Sequence, residues 1–125
     1  MKKTKFLLLL FFLIFSTNFL YSKCRRIAEV KYQTESGWSK KYQIEVTFIS
    51  GSELNDATNS YKFSSSSNYV VIFWEEGKAT IIKLSTSLLC GFNISCDCID
   101  NSITDFKGYD QDGDLWNICI NDMCF

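Results

Sequence analysis

The chain has 125 residues, thirteen Lys and Arg against fourteen Asp and Glu, six cysteines, and neither histidine nor proline. Without histidine there is no Ser-His or Cys-His nucleophile pair, no imidazole general base and no imidazole metal ligand. Near-balanced charge with no basic stripe argues against nucleic acid, and the missing proline leaves every strand ladder its full set of backbone donors.

The chain opens with Lys2, Lys3 and Lys5, then ten apolar residues from Phe6 to Phe15, then a more polar stretch through Ser22. That order is the layout of a secretory signal peptide. Ten apolar residues fall short of the ~20 that a membrane-spanning helix needs. Cleavage is expected after Ser22, or nearer Ser16 because Leu20 is bulky for the −3 position. Lys23 and Tyr21 do not suit a lipobox around Cys24. The expectation is a secreted, periplasmic or cell-surface protein with one domain over Lys23–Phe125 and no membrane span in the mature chain.

All six cysteines (Cys24, Cys90, Cys96, Cys98, Cys119 and Cys124) follow the leader. An even set in a small exported chain reads as three disulfides, with fifteen connectivities that sequence does not separate. Cys96 and Cys98 in "CDC" lack the C-x2-C spacing of zinc knuckles or redox pairs. Charge is uneven along the chain. Lys23–Lys83 carries nine basic and seven acidic residues, whereas Leu84 onward holds one lysine against seven aspartates.

The mature chain reads as strands and turns. Ile27–Thr34 alternates, with Ala28, Val30 and Tyr32 on one face. After the "ESG" turn, "KYQIEVTFI" points Tyr42, Ile44, Val46 and Phe48 one way and Gln43, Glu45 and Thr47 the other, so the two segments should pair as a hairpin with one wet face. Ser52 is expected to cap a single helical turn over Glu53–Ala57. "SSSSN" is a polar low-complexity loop. "YVVIFW" and "ATIIKL" are apolar on both faces and predict a central buried hairpin, with Gly77 left-handed in the "EEG" turn. "STSLLCGFNISCDCIDNS" is a cysteine-bearing connection with a short strand near Leu88. "ITDFKGY" and "LWNICI" form the last hairpin. Seven or eight short strands predict an all-β class, a small antiparallel sandwich or barrel stapled by disulfides.

The stretch "DQDGDL" puts Asp110, Asp112 and Asp114 at the first three ligand positions of an EF-hand loop. The required glycine is Leu115 and the closing glutamate is Asn121, so that motif fails. A two-residue turn at Asp112-Gly113 explains the stretch better and places Tyr109 opposite Trp116. A bulge at Gly108 would then bring Phe106 and Tyr109 to one side. A weak non-EF-hand calcium site at Asp110, Asp112 and Asp114 is the alternative, the sole cofactor the sequence suggests.

Glu75 and Glu76 are the other carboxylates near enough in sequence to act as a pair, but no acid–base constellation is recognisable, and enzyme activity is not expected. Ser64–Ser67 with Lys62 reads as a polar loop rather than a Ser-Lys dyad. Trp74 and Trp116 sit in core patterns. Trp38, in "SGWSKKY", is the candidate exposed contact for a protein or glycan. Asn93 opens a glycosylation sequon of consequence only in a eukaryotic secretory route. The functional expectation is a secreted binding module of unspecified ligand. An inhibitor of a secreted hydrolase, presenting "SSSSN" or "DQDGD", is the alternative, and a carboxylate-based hydrolase stands third.

Overall fold

The computed structural model describes residues 23–85, 90, 94–102 and 105–120. The leader, the strand expected near Leu88, Asn93 and Cys124 lie outside those residues. In chain order the elements are β1 (Lys23–Thr34), β2 (Gly37–Trp38), β3 (Tyr42–Ser50), α1 (Gly51–Thr58), β4 (Asn68–Trp74), β5 (Lys78–Leu84), α2 (Cys96–Asn101), β6 (Asp105–Asp110) and β7 (Leu115–Cys119). Neighbouring strands run β2-β1-β3-β4-β5-β6-β7, all antiparallel, and β7 pairs back onto β1. Of the two all-β architectures expected, the chain adopts the barrel. Six strands close it, and β2 is an extra strand on the tip of β1.

Alternation fills the interior. Val30, Val46, Phe48, Ile72, Ile82, Phe106 and Ile118 are wholly buried inside, and Phe48 meets Phe106 edge to face at 5.1 Å. Burial of such side chains stabilises by roughly 1.5–3 kcal/mol each. The expected wet face of β3 exists only in its first half, because Val46 to Ser50 are all buried. The reason is a second layer. Ile49, Val71, Ile81 and Tyr69 point outward from the barrel and are covered by Leu54 of α1, with Phe63 and Phe73 at the edge.

That helix is longer than the single turn expected, and its cap is Ser50 rather than Ser52. Ser50 Oγ accepts from the Glu53 backbone N–H at 3.1 Å and donates to the Glu53 carboxylate at 3.0 Å. Asn59 ends the helix in the left-handed conformation (φ 52°). A helix of eight residues is marginal alone, so the burial of Leu54 and Ala57 on the barrel wall is what sustains it. The serine loop beyond is tied down. Asn55 makes two bonds to the Phe63 backbone (2.8 and 2.9 Å), and the Tyr69 hydroxyl accepts from Ser64 N–H at 2.9 Å.

The cysteine-bearing connection contains α2, which sequence reading did not find. Ser95 caps it by accepting from the Cys98 N–H at 3.3 Å. Two residues apart on a helix differ by ~200° in direction, so the cysteines of "CDC" diverge. Cys96 bonds Cys24 at the start of β1, and Cys98 bonds Cys90. Cys119 is disulfide-bonded as well. Arg26 grips Asp100 of α2 through Nε and Nη2, at 3.0 and 2.8 Å. With Ile94 and Ile99 buried in the same interior, α2 plugs the end of the barrel where β1 begins. The disulfides are consistent with a protein that folds outside the cytoplasm. No helix among the described residues is long and apolar enough to cross a membrane.

Cys24–Cys96 and Cys90–Cys98 should not contribute equally. Cys24–Cys96 spans 72 residues and Cys90–Cys98 spans 8, which in the loop-entropy picture corresponds to about 4 and about 2.5 kcal/mol. Urea unfolding of the two double-serine variants should rank them in that order, and equal losses would contradict it.

Candidate functional site: the aromatic mouth of the barrel

The end of the barrel opposite α2 is built from aromatic side chains. Tyr32 near the end of β1, Tyr42 at the start of β3, Trp74 at the end of β4 and Trp116 near the start of β7 occupy the inward faces of their strands. They form a closed ring of contacts. Tyr32 stacks on Tyr42 with centroids 6.5 Å apart, Tyr42 meets Trp74 edge-on at 5.5 Å, Trp74 meets Trp116 at 6.2 Å, and Trp116 meets Tyr32 at 5.0 Å. These rings line a cleft of about 380 Å³ together with Lys78, Thr80, Asp110 and Asp114. Trp116 and Thr80 are buried in its floor, whereas Tyr32, Tyr42 and Trp74 are half-buried in its walls. A concave apolar site with a few polar groups in a barrel mouth is a common form of ligand pocket.

Both indole N–H groups of the mouth are hydrogen-bonded within the protein. Trp74 Nε1 donates to Thr80 Oγ1 and Trp116 Nε1 donates to Asp110 Oδ2, each at 2.8 Å. The other oxygen of Asp110 accepts from the backbone N–H groups of Asp112 and Asp114, both at 2.9 Å. One nearly buried carboxylate thus holds the floor of the mouth and its own turn.

That arrangement corrects the expected turn. The Asp110 N–H donates to the Asp114 carbonyl and the Gly113 N–H to the Asp110 carbonyl, each at 3.0 Å. The loop is therefore three residues, Gln111 to Gly113, with Gly113 in the left-handed region (φ 86°). Trp116 pairs with Gly108, and Tyr109 with Leu115. A one-residue change of register exchanges the faces, so Trp116 goes in and Tyr109 goes out to solvent. No bulge forms at Gly108. Its place is a close approach instead, since a Cβ there would collide with the Lys83 carbonyl on β5. Beyond the last β5–β6 backbone pair, the Gln111 amide continues the ladder. It accepts from Ile81 N–H at 3.0 Å and donates to the Ala79 carbonyl at 3.1 Å.

The three sequence-marked aspartates are brought together, but in different roles. Asp110 is a structural acceptor, while Asp112 and Asp114 stand exposed at the tip. Burial, then the charges of Asp110 and Asp112, raise the pKa of Asp114 above the ordinary aspartate value. Tyr32 is raised too, chiefly by Tyr42, whose hydroxyl it neighbours. Among the described residues no group of three or more acidic or cysteine side chains is arranged to hold a metal ion.

Trp38 lies on the outer surface, 41% exposed, with the Lys31 ammonium 4.9 Å above its ring. Its direction comes from a bulge. Gln33 pairs with Trp38 and Val30 with Tyr42, so three residues, Ser39 to Lys41, oppose two. Ser39 fills the gap, donating its N–H to the Tyr32 carbonyl at 2.7 Å and accepting the Tyr32 N–H on Oγ at 3.0 Å. The extra residue puts Tyr42 and Trp38 on opposite faces, although four positions apart on a regular strand they would share one. Sequence reading placed Tyr32 and Tyr42 on inward faces, and Trp74 and Trp116 in core patterns. It missed that all four fall at the same barrel end. The available signal was that each lies at or near a strand terminus beside a turn.

Two outcomes follow for this end of the barrel. Asp110→Ala leaves the buried Trp116 N–H without an acceptor and frees the turn, which should cost about 2–4 kcal/mol in chemical unfolding, and Asp110→Asn clearly less. For Asp114 the folded-state pKa lies above the unfolded value. Its contribution to stability is therefore full below the unfolded pKa and is lost as pH rises through the folded one. Asp114→Asn should accordingly raise the thermal midpoint at neutral pH and give no gain below the ordinary aspartate range.

The chain matches no family model, no curated protein and no solved structure.

Proposed function

We propose that the protein is an exported binding module that holds its ligand in the aromatic mouth of the barrel. The observation that carries this reading is the closed ring of Tyr32, Tyr42, Trp74 and Trp116 around an open cleft of about 380 Å³. Aromatic side chains offer large apolar contact area at small conformational cost, and they dominate recognition surfaces for that reason. Export rests on the Lys-rich, apolar, then polar leader and on the disulfides. Trp38, the contact candidate from sequence, lies outside this ring with a lysine already over its face.

Inhibition of a secreted hydrolase is the second reading, and the "DQDGD" tip supports it. Asp110 and Gln111 brace that loop from behind while Asp112 and Gly113 are exposed, which is how a rigid inhibitory loop is presented.

The three tryptophans make the test internal, because each gives one indole N–H resonance. Screening the oxidised protein by NMR against amines, saccharides and short peptides should find compounds that move the Trp74 and Trp116 signals and leave Trp38 in place. Binders that move Trp38 alone would sink the mouth as the site. Blockage of a secreted protease or glycosidase, lost on altering Asp112 but kept in Trp74→Phe, would instead favour the inhibitor.

A further inference from the structure

We propose that the mouth takes an organic ammonium group, primary or quaternary, seated on the aromatic faces with Asp114 as its counter-ion. The inference rests on the reading of the mouth as the binding site and specifies its ligand chemistry.

The floor polar atoms are already used. Trp74 Nε1 is bonded to Thr80, Trp116 Nε1 to Asp110, and both oxygens of Asp110 are engaged by N–H donors. What the floor presents to a ligand is π surface rather than hydrogen-bonding groups. A π face attracts a cation placed within ~6 Å of the ring centroid, and a ring of several faces is the usual way to hold a quaternary ammonium.

Charge at this end points the same way. Asp110 and Asp114 line the cleft, Asp112 belongs to the same loop, and the hydrogen-bond donors that satisfy Asp110 are neutral. The Arg26–Asp100 salt bridge belongs to the opposite end of the barrel. Two ammonium groups stand near the mouth, those of Lys78 in its lining and of Lys40. Lys40 shows what the rings accept. Exposed on the bulge, it places its Nζ 5.1 Å from the centroid of Tyr42. The chain thus already places one ammonium over a ring of the site, while Lys78 is the cation in the lining with which an external one would compete.

A stem has somewhere to go. A second groove of about 490 Å³ shares Tyr32 and Asp114 with the mouth and continues past Glu35, Tyr109 and Leu115. An ammonium on an apolar chain could sit in the first cleft and lay its chain along the second.

The test compares choline with 3,3-dimethylbutan-1-ol, its neutral isostere, and with n-butylammonium and N-acetylglucosamine. Each is titrated into the oxidised protein at low salt while the indole signals and tryptophan fluorescence are followed. Choline or n-butylammonium should move Trp74 and Trp116 and bind about tenfold tighter than the isostere. Asp114→Asn should weaken the cation several-fold and leave the isostere unchanged. Lys78→Ala, by removing the cation in the lining, should tighten it. Equal binding of choline and its isostere, or movement of the two indoles by N-acetylglucosamine alone, would overturn the ammonium assignment and leave the mouth standing as a site. If all four probes leave both indoles unmoved, the ammonium assignment fails, and the wider screen decides the fate of the mouth.

Discussion

β1 is twelve residues long and pairs with both β3 and β7, and the rest of the molecule depends on that. Lys23 to Val30 pair with β3 along one edge, while Glu29 to Tyr32 pair with β7 along the other. The second pairing turns a meander into a barrel. Closure removes open edges, which otherwise present unpaired backbone groups to any passing strand. It also gives the barrel two distinct ends. One is covered by α2, anchored through Cys24–Cys96 and the Arg26–Asp100 pair. The other is left to four aromatic rings.

The ends differ in how their polar groups are satisfied. At the plugged end the helix brings its own cap and its disulfides, and the interior is aliphatic with Phe48 and Phe106. At the mouth, buried N–H groups would be costly if left unpaired. The chain meets that constraint with side chains in place of backbone. Asp110 serves two turn amides and an indole, Gln111 takes over the edge of β5 where β6 ends, and Ser39 stands in for a carbonyl at the bulge. Each fixes an aromatic or the loop beside it. The result is a rim held by hydrogen bonds around four rings in mutual contact.

Charge and stability are in tension at this rim. Three carboxylates on one tip repel each other, and burial together with that repulsion raises the pKa of Asp114. A fold under selection for stability alone has no use for it, because asparagine at either exposed position would keep the turn. Under the proposed binding role it does have a use, since a cation gains from that field. This is the physical ground for linking the acidic character of the chain's second half to the aromatic mouth.

Much of the architecture was legible because it is local. Alternation in Ile27–Thr34 and in Tyr42–Phe48, the doubly apolar "YVVIFW" and "ATIIKL", and the glycine at position 77 marked four strands and one turn, and the even cysteine count anticipated disulfides. The same residues could not tell barrel from sandwich, because closure is decided by whether β7 reaches β1, a contact about ninety residues apart in sequence. The candidate site depended on finer choices. A two-residue and a three-residue turn at "DQDGD" are both reasonable locally, yet they send Trp116 to opposite faces. Burial of the Asp110 carboxylate against the Trp116 indole selects the longer one. One extra residue at Ser39–Lys41 similarly separates Trp38 from Tyr42. The sequence by itself determined the strands, the stapling and the lack of histidine chemistry. Only the tertiary structure decided which aromatics meet at one end, because strand side chains alternate with period two and a single-residue slip or bulge reverses every face beyond it.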